Sequence, residues 1–127
     1  MGNIRHKRER PEWYIQRDLK QFLRDRGWWV EQTHGNIYQT GLPDLFIARK
    51  DHGYRWIDVK VTGRYSFTNA QKIKWPILDS FGVGIWVLTA ATQEQYDLLF
   101  EPPNWKSFWR DSWGPIDIDA LLDTLDE

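Results

Sequence analysis

Residues 42–60, LPDLFIARKDHGYRWIDVK, constrain the fold more than any other stretch of the chain. Residues 45–48 are a short apolar run, residues 49–53 carry turn formers, and residues 54–61 alternate in polarity as a returning strand does. Strands joined by so short a turn pair antiparallel. Alternation along the second strand sets Ile57, Val59 and Val61 on one face and Trp56, Asp58 and Lys60 on the other. Folding the hairpin about residues 51–53 brings Asp44 opposite the Asp58–Lys60 region. Two carboxylates and an amine are therefore expected beside the most strand-like part of the chain. Charges there cost desolvation free energy unless they are paired, solvated or bound to a metal.

The rest of the chain supplies partners for this hairpin. Pro11 suits the first turn of a helix. From residue 12 to about 26, Ile15, Leu19, Phe22 and Leu23 share a face, and Gly27 caps the end. Residues 28–33 read as a strand. Thr68 with Gln71 three positions on forms a capping box, opening a helix to about residue 81 in which Pro76 predicts a kink. Residues 84–89 read as a buried strand, and Thr92 with Gln95 opens a further helix to about residue 100. The order α-β-β-β-α-β-α implies a mixed sheet flanked by helices: an antiparallel meander, then a parallel strand reached by a helical crossover. Residues 1–10 are expected to be a flexible basic arm, residues 11–100 the core domain, and residues 101–127 a Trp-rich, acidic extension packing on the core or on a dimer partner.

At 127 residues the chain has the length of one domain. The absence of cysteine excludes disulfides, thiolate metal sites and a cysteine nucleophile, and fits an intracellular setting. No apolar run is long enough to span a bilayer, so no membrane partner is expected. The formal net charge of −1 hides an asymmetry. Every Lys and Arg lies in residues 1–110, which carry a net +5, and the tail from Asp111 carries −6. A basic body suits a polyanion such as nucleic acid, and an evenly solvated surface with an acidic end reads equally well.

Converging carboxylates repel, and one holds a raised pKa unless a cation sits between them. A hard divalent ion with oxygen ligands relieves that repulsion, and such ions also engage substrate phosphate. A nearby lysine can orient or deprotonate an attacking water. The other reading is a surface hairpin with a weak Asp–Lys pair.

Pro43-Asp44 followed by Asp58-Val59-Lys60 resembles the signature of the PD-(D/E)xK nuclease superfamily, closest to its VRR-NUC (virus-type replication-repair nuclease) and Holliday-junction-resolvase-like phage-type members. Glu12 in an early helix, Gly41 before Leu42-Pro43-Asp44, Gln71 opening a helix, then Trp75 and Gly82, extend the resemblance over roughly residues 11–100. It implies a restriction-endonuclease-like αβββαβ fold and hydrolysis of DNA phosphodiesters with Mg²⁺, for which Mn²⁺ substitutes. It further implies that Asp44, Asp58 and the Val59 carbonyl ligate the metal, and that Lys60 positions the nucleophilic water. Glu12 then serves a second metal, and Gln71 supports the site. Many relatives carry Glu where this chain has Asp58. Junction or repair, homing-type and restriction-type cutting all remain open, as does a nuclease-fold module that binds DNA without catalysis. A bacterial or phage-infected host cytoplasm is the expected setting.

Arg5, Lys7, Arg8 and Arg10 in the arm, with Arg64, Lys72 and Lys74 after the second hairpin strand, are candidate phosphate contacts, or simply solvated charges. His6, His34 and His52 form no compact ligand set. Trp105, Trp109 and Trp113 recur every four residues, as a stripe on one helix face does. They suit a core or dimer contact, or stacking on unpaired bases. A homodimer is expected, because one acid cluster serves one phosphodiester and cutting both strands takes two.

Overall fold

A computed structural model describes residues 11–33 and 40–125. The element order is α1 (Pro11–Arg24), β1 (Trp29–Gln32), β2 (Leu45–Arg49), β3 (Gly53–Val59), α2 (Asn69–Ser80), β4 (Ile85–Leu88), α3 (Gln93–Asp97) and α4 (Ile118–Leu125). Three 3₁₀ turns, Leu98–Phe100, Trp105–Phe108 and Asp111–Trp113, lie between α3 and α4. The chain is thus a mixed α/β protein. Its arm, with Arg5, Lys7, Arg8 and Arg10, and the histidines His6 and His34 lie outside the described residues.

The four strands form one sheet in the order β1-β2-β3-β4. The first three pair antiparallel, and β4 joins β3 in parallel after the α2 crossover. Both faces are covered. On one, Val30, Ile47, Ile57, Val59 and Leu88 pack with Leu19 and Leu23 of α1 and with Tyr96 and Leu99. On the other, Ile85 and Val87 pack with Phe67, Trp75 of α2 and Trp105. The sheet centre is apolar on both sides, so Asp58, near the end of β3, is a buried charge.

Local sequence sets the helix ends. Gly27, at φ +88°, closes α1: its N–H donates to the Arg24 carbonyl and the Trp28 N–H to the Leu23 carbonyl. Thr68 and Gln71 form the expected capping box at α2. The span of α2 continues past Pro76, with no break at the position where a kink was expected. Trp75, Pro76 and Ile77 are all buried, so packing holds this part of the helix in place.

The tryptophan stripe is not one helix. Trp105 and Trp113 sit in separate 3₁₀ turns, and Trp109 and Arg110 between them are extended. Edge-to-face contacts still link the three rings, at 5.9 Å and 5.4 Å between centroids. Trp105 is 1% exposed within this chain's own core, so it cannot form the expected dimer contact. The segment before it is tied to the sheet as well. Trp86 Nε1 donates to the Glu101 carbonyl, and the Asn104 side chain bonds both the N–H and the C=O of Val87. Helix α4 packs against α2 of the same molecule.

Candidate functional site

The pairing of Leu45 with Ile57 places Asp44, one residue before β2, beside Asp58 near the end of β3. The Asp44 amide donates to Asp58 Oδ1 at 3.2 Å. Asp44 Oδ2 accepts the Val59 N–H at 2.8 Å. Continuing the register by two positions would set Pro43 opposite Val59, where a ladder residue would return an N–H to the Val59 carbonyl. Proline has none.

That carbonyl has a defined direction. The Lys60 N–H donates to the Leu88 carbonyl on β4, and among the described residues no peptide bond is cis. In a trans peptide the Val59 C=O points opposite to the Lys60 N–H, hence away from β4 and toward the Asp44 side. The Pro-Asp pair thus ends the β2–β3 ladder in a way that presents oxygen atoms.

Asp58 is 1% and Lys60 4% exposed. Lys60 Nζ lies 3.0 Å from Asp58 Oδ2 and 3.1 Å from Gln71 Oε1. Gln71 is buried and reaches three ways: its Oε1 also accepts the Thr68 N–H, and its Nε2 lies 3.4 Å from Asp58 Oδ1. A capping-box glutamine is thereby also the bridge between Lys60 and Asp58. The ammonium lies 5.1 Å from the Phe67 ring and 5.7 Å from the Trp75 ring, which shelter it from solvent.

Asp58 Oδ2 is buried, and the Lys60 ammonium 3.0 Å away is its counter-charge. Burial and the neighbouring Asp44 hold the Asp58 carboxyl well above the usual carboxylate range. Burial also raises Asp44, and the Val59 N–H and Lys60 partly offset that rise. Glu12, in the first turn of α1, is raised by burial; Lys60 acts against the rise and Asp44 adds to it. Glu12 therefore stands within electrostatic reach of both, although the residue is exposed overall.

The donor set is all oxygen: two carboxylates and a backbone carbonyl. Such a set, with two converging carboxyls that repel each other, fits a hard divalent cation held by Asp44, Asp58 and the Val59 carbonyl. Among the described residues no three of His, Asp and Glu converge into one ready cage, so Glu12 does not join Asp44 and Asp58 in a single group.

Other candidates fall elsewhere. Lys74 donates to the Thr40 carbonyl, tying down the approach to Gly41. Lys72 lies 4.8 Å from the Trp113 ring, and Arg64 is exposed in a turn. His52 packs edge-on against Trp28 and Phe100, on a turn. Sequence reasoning missed Phe67, whose only local signal is its place just before the helix cap. It also missed the bond from Trp75 Nε1 to the Gly41 carbonyl, 2.7 Å. Among the described residues no helix is long and apolar enough to cross a membrane. Comparison with protein-family models, curated proteins and solved structures finds no match.

Proposed function

We propose that this chain is a divalent-cation-dependent endodeoxyribonuclease with a restriction-endonuclease-like fold, related in design to the PD-(D/E)xK enzymes. The observation that carries the reading is the convergence of two acids with raised pKa values, Asp44 and Asp58, joined through the Asp44 amide beside the buried Lys60 ammonium. A purely structural Asp–Lys pair would not need the second acid. A bound Mg²⁺ or Mn²⁺ supplies charge neutralisation at the phosphate and an acidified water.

The chain's own residues do the rest. Asp44 and Asp58 hold the cation in place. Gln71 and the rings of Phe67 and Trp75 hold the Lys60 ammonium beside Asp58, where it can orient the attacking water or stabilise phosphate charge. Glu12 adds a carboxylate at the rim. The arm lysine and arginines supply sequence-independent attraction to the DNA backbone. Two copies acting together account for cutting both strands.

A second reading, a nuclease-fold module that binds DNA without cutting it, is favoured by the absence of a three-carboxylate group among the described residues. Incubation of linear, nicked and four-way-junction DNA with Mg²⁺ or Mn²⁺, against EDTA controls, separates the two. Cation-dependent product that disappears in Asp58→Asn supports the enzyme. Tight binding with no product under either cation supports the module.

A further inference from the structure

One peptide in the loop before β2 departs from the regular ladder. Gln32 pairs with Leu45, so the register sets Thr33 opposite Asp44. The Thr33 N–H donates to the Asp44 carbonyl at 2.9 Å. In a regular antiparallel pair of this kind both residues donate, and the Asp44 N–H would return a bond to the Thr33 carbonyl. It goes the other way instead, to Asp58 Oδ1 on the β3 side. The chain bends at Asp44, where the N–H faces β3 and the C=O faces β1.

The Thr33 hydroxyl holds that departure in place. Its Oγ1 donates to the Pro43 carbonyl at 2.8 Å, with the Asp44 carbonyl as a second acceptor at 3.1 Å. The Pro43 carbonyl and the Asp44 N–H belong to one peptide, and in a trans peptide they point opposite ways. Drawing the carbonyl toward β1 therefore sends the N–H toward Asp58. In the ladder orientation the Pro43 carbonyl would instead face β3 and accept the Val59 N–H. Turned away, it leaves that N–H to Asp44 Oδ2. Both bonds that join the acid pair to the backbone thus depend on the turned peptide. Resting on the nuclease reading above, we infer that Thr33 is a positioning residue for the cation site. It touches no ligand group, and it seats the Asp44 and Asp58 carboxylates by fixing the peptide between Pro43 and Asp44.

The test compares the full chain with Thr33→Val, which keeps the shape and the backbone N–H but loses the hydroxyl, and with Thr33→Ser, which keeps a hydroxyl. Two readouts need no DNA. In EDTA, the Asp44 amide NMR resonance reports the bond to the Asp58 carboxylate. It should move in Thr33→Val and return in Thr33→Ser, while the resonances of core amides such as Ile47 stay in place and show that the fold is intact. Calorimetric titration with Mn²⁺ should give affinity about 10–100-fold weaker in Thr33→Val, the range for a lost outer-shell partner, and recovery in Thr33→Ser. An Asp44 resonance unchanged in Thr33→Val would overturn the inference, whatever the affinity does. A moved resonance with unchanged affinity would overturn it too, and so would a loss that Thr33→Ser does not restore. The nuclease reading fails separately. An unmodified protein that binds no Mn²⁺ removes that reading, and the Asp44 resonance still shows whether Thr33 turns the peptide.

Discussion

The backbone amide of Asp44 donates to Oδ1 of Asp58, so a main-chain N–H holds together two acids that repel each other. The bond survives any substitution of the Asp44 side chain other than proline, which lets the charge at 44 be removed alone. Asp44→Asn also keeps an oxygen for the Val59 N–H. We predict that Asp44→Asn folds with a melting temperature close to that of the unmodified chain, cuts no DNA, and binds DNA as well or better because a charge that repels phosphate is gone. Asp44→Ala leaves the Val59 N–H without its acceptor and should cost about 1–3 kcal/mol in urea unfolding. Cutting by Asp44→Asn at near the normal rate in saturating Mg²⁺ would remove Asp44 from the site.

Lys60 is the cation nearest the buried Asp58 oxygen, at 3.0 Å. Lys60→Met strips the counter-charge from a buried carboxylate, which should destabilise the protein by about 3–5 kcal/mol. Turnover should fall by about two to four decades, the range for lost acid–base assistance. The double variant Lys60→Met/Asp58→Asn removes both charges and should regain most of the lost stability. A double variant no more stable than Lys60→Met alone would show that the two charges are not coupled.

Stability should also respond to pH through Asp58. Its carboxyl is raised well above the usual range by burial and by Asp44. The folded chain therefore keeps this proton at a pH where the unfolded chain has lost it. The resulting stability is complete below the unfolded value, about 4, and is lost as pH rises through the folded value. In EDTA, unfolding free energy should decline from pH 4 toward neutrality by up to about 1.4 kcal/mol per unit for this one proton. The decline should be shallower in Asp58→Asn. Thermal melts across pH for both proteins measure the difference, and parallel curves would refute the assignment.

Much of this arrangement was legible in the sequence because it follows from period and position. Alternation in residues 54–61 placed Asp58 and Lys60 on one face, and the short turn placed Asp44 opposite them. The capping box put Gln71 at the start of α2, and the coarse α/β order held. What escaped was tertiary. No local pattern reports that Phe67 and Trp75 converge on the Lys60 ammonium, because the two residues meet it through the α2 crossover rather than along one element. The four-residue tryptophan spacing suggested a helix, yet the chain forms two 3₁₀ turns with extended residues between them. The rings reach one another across that break, so spacing alone could not tell the two arrangements apart.

The loop that delivers Asp44 rests on a contact between Gly41 and α2. Gly41 has φ +88°, and a Cβ there would come within 3.0 Å of the Ala70 backbone. The Gly41 carbonyl also accepts from Trp75 Nε1 at 2.7 Å. Gly41→Ala meets both penalties, left-handed strain of about 1–3 kcal/mol and a clash with helix backbone that cannot swing aside. Relief requires the loop to lift away from α2, and Asp44 lies three residues further on. We predict that Gly41→Ala destabilises the chain by at least the strain term and lowers cleavage beyond what the remaining folded fraction explains. Trp75→Phe removes the indole N–H and leaves a cavity where the larger ring was fully buried, so it should cost more than the about 0.5–1.5 kcal/mol of the hydrogen bond alone. Once the loop has lifted, that bond is already broken, so the two changes together should cost less than their sum. Unfolding of both single variants and the double variant gives the coupling directly. Strict additivity would mean that the loop stays seated in Gly41→Ala, and that the contact with α2 does not position Asp44.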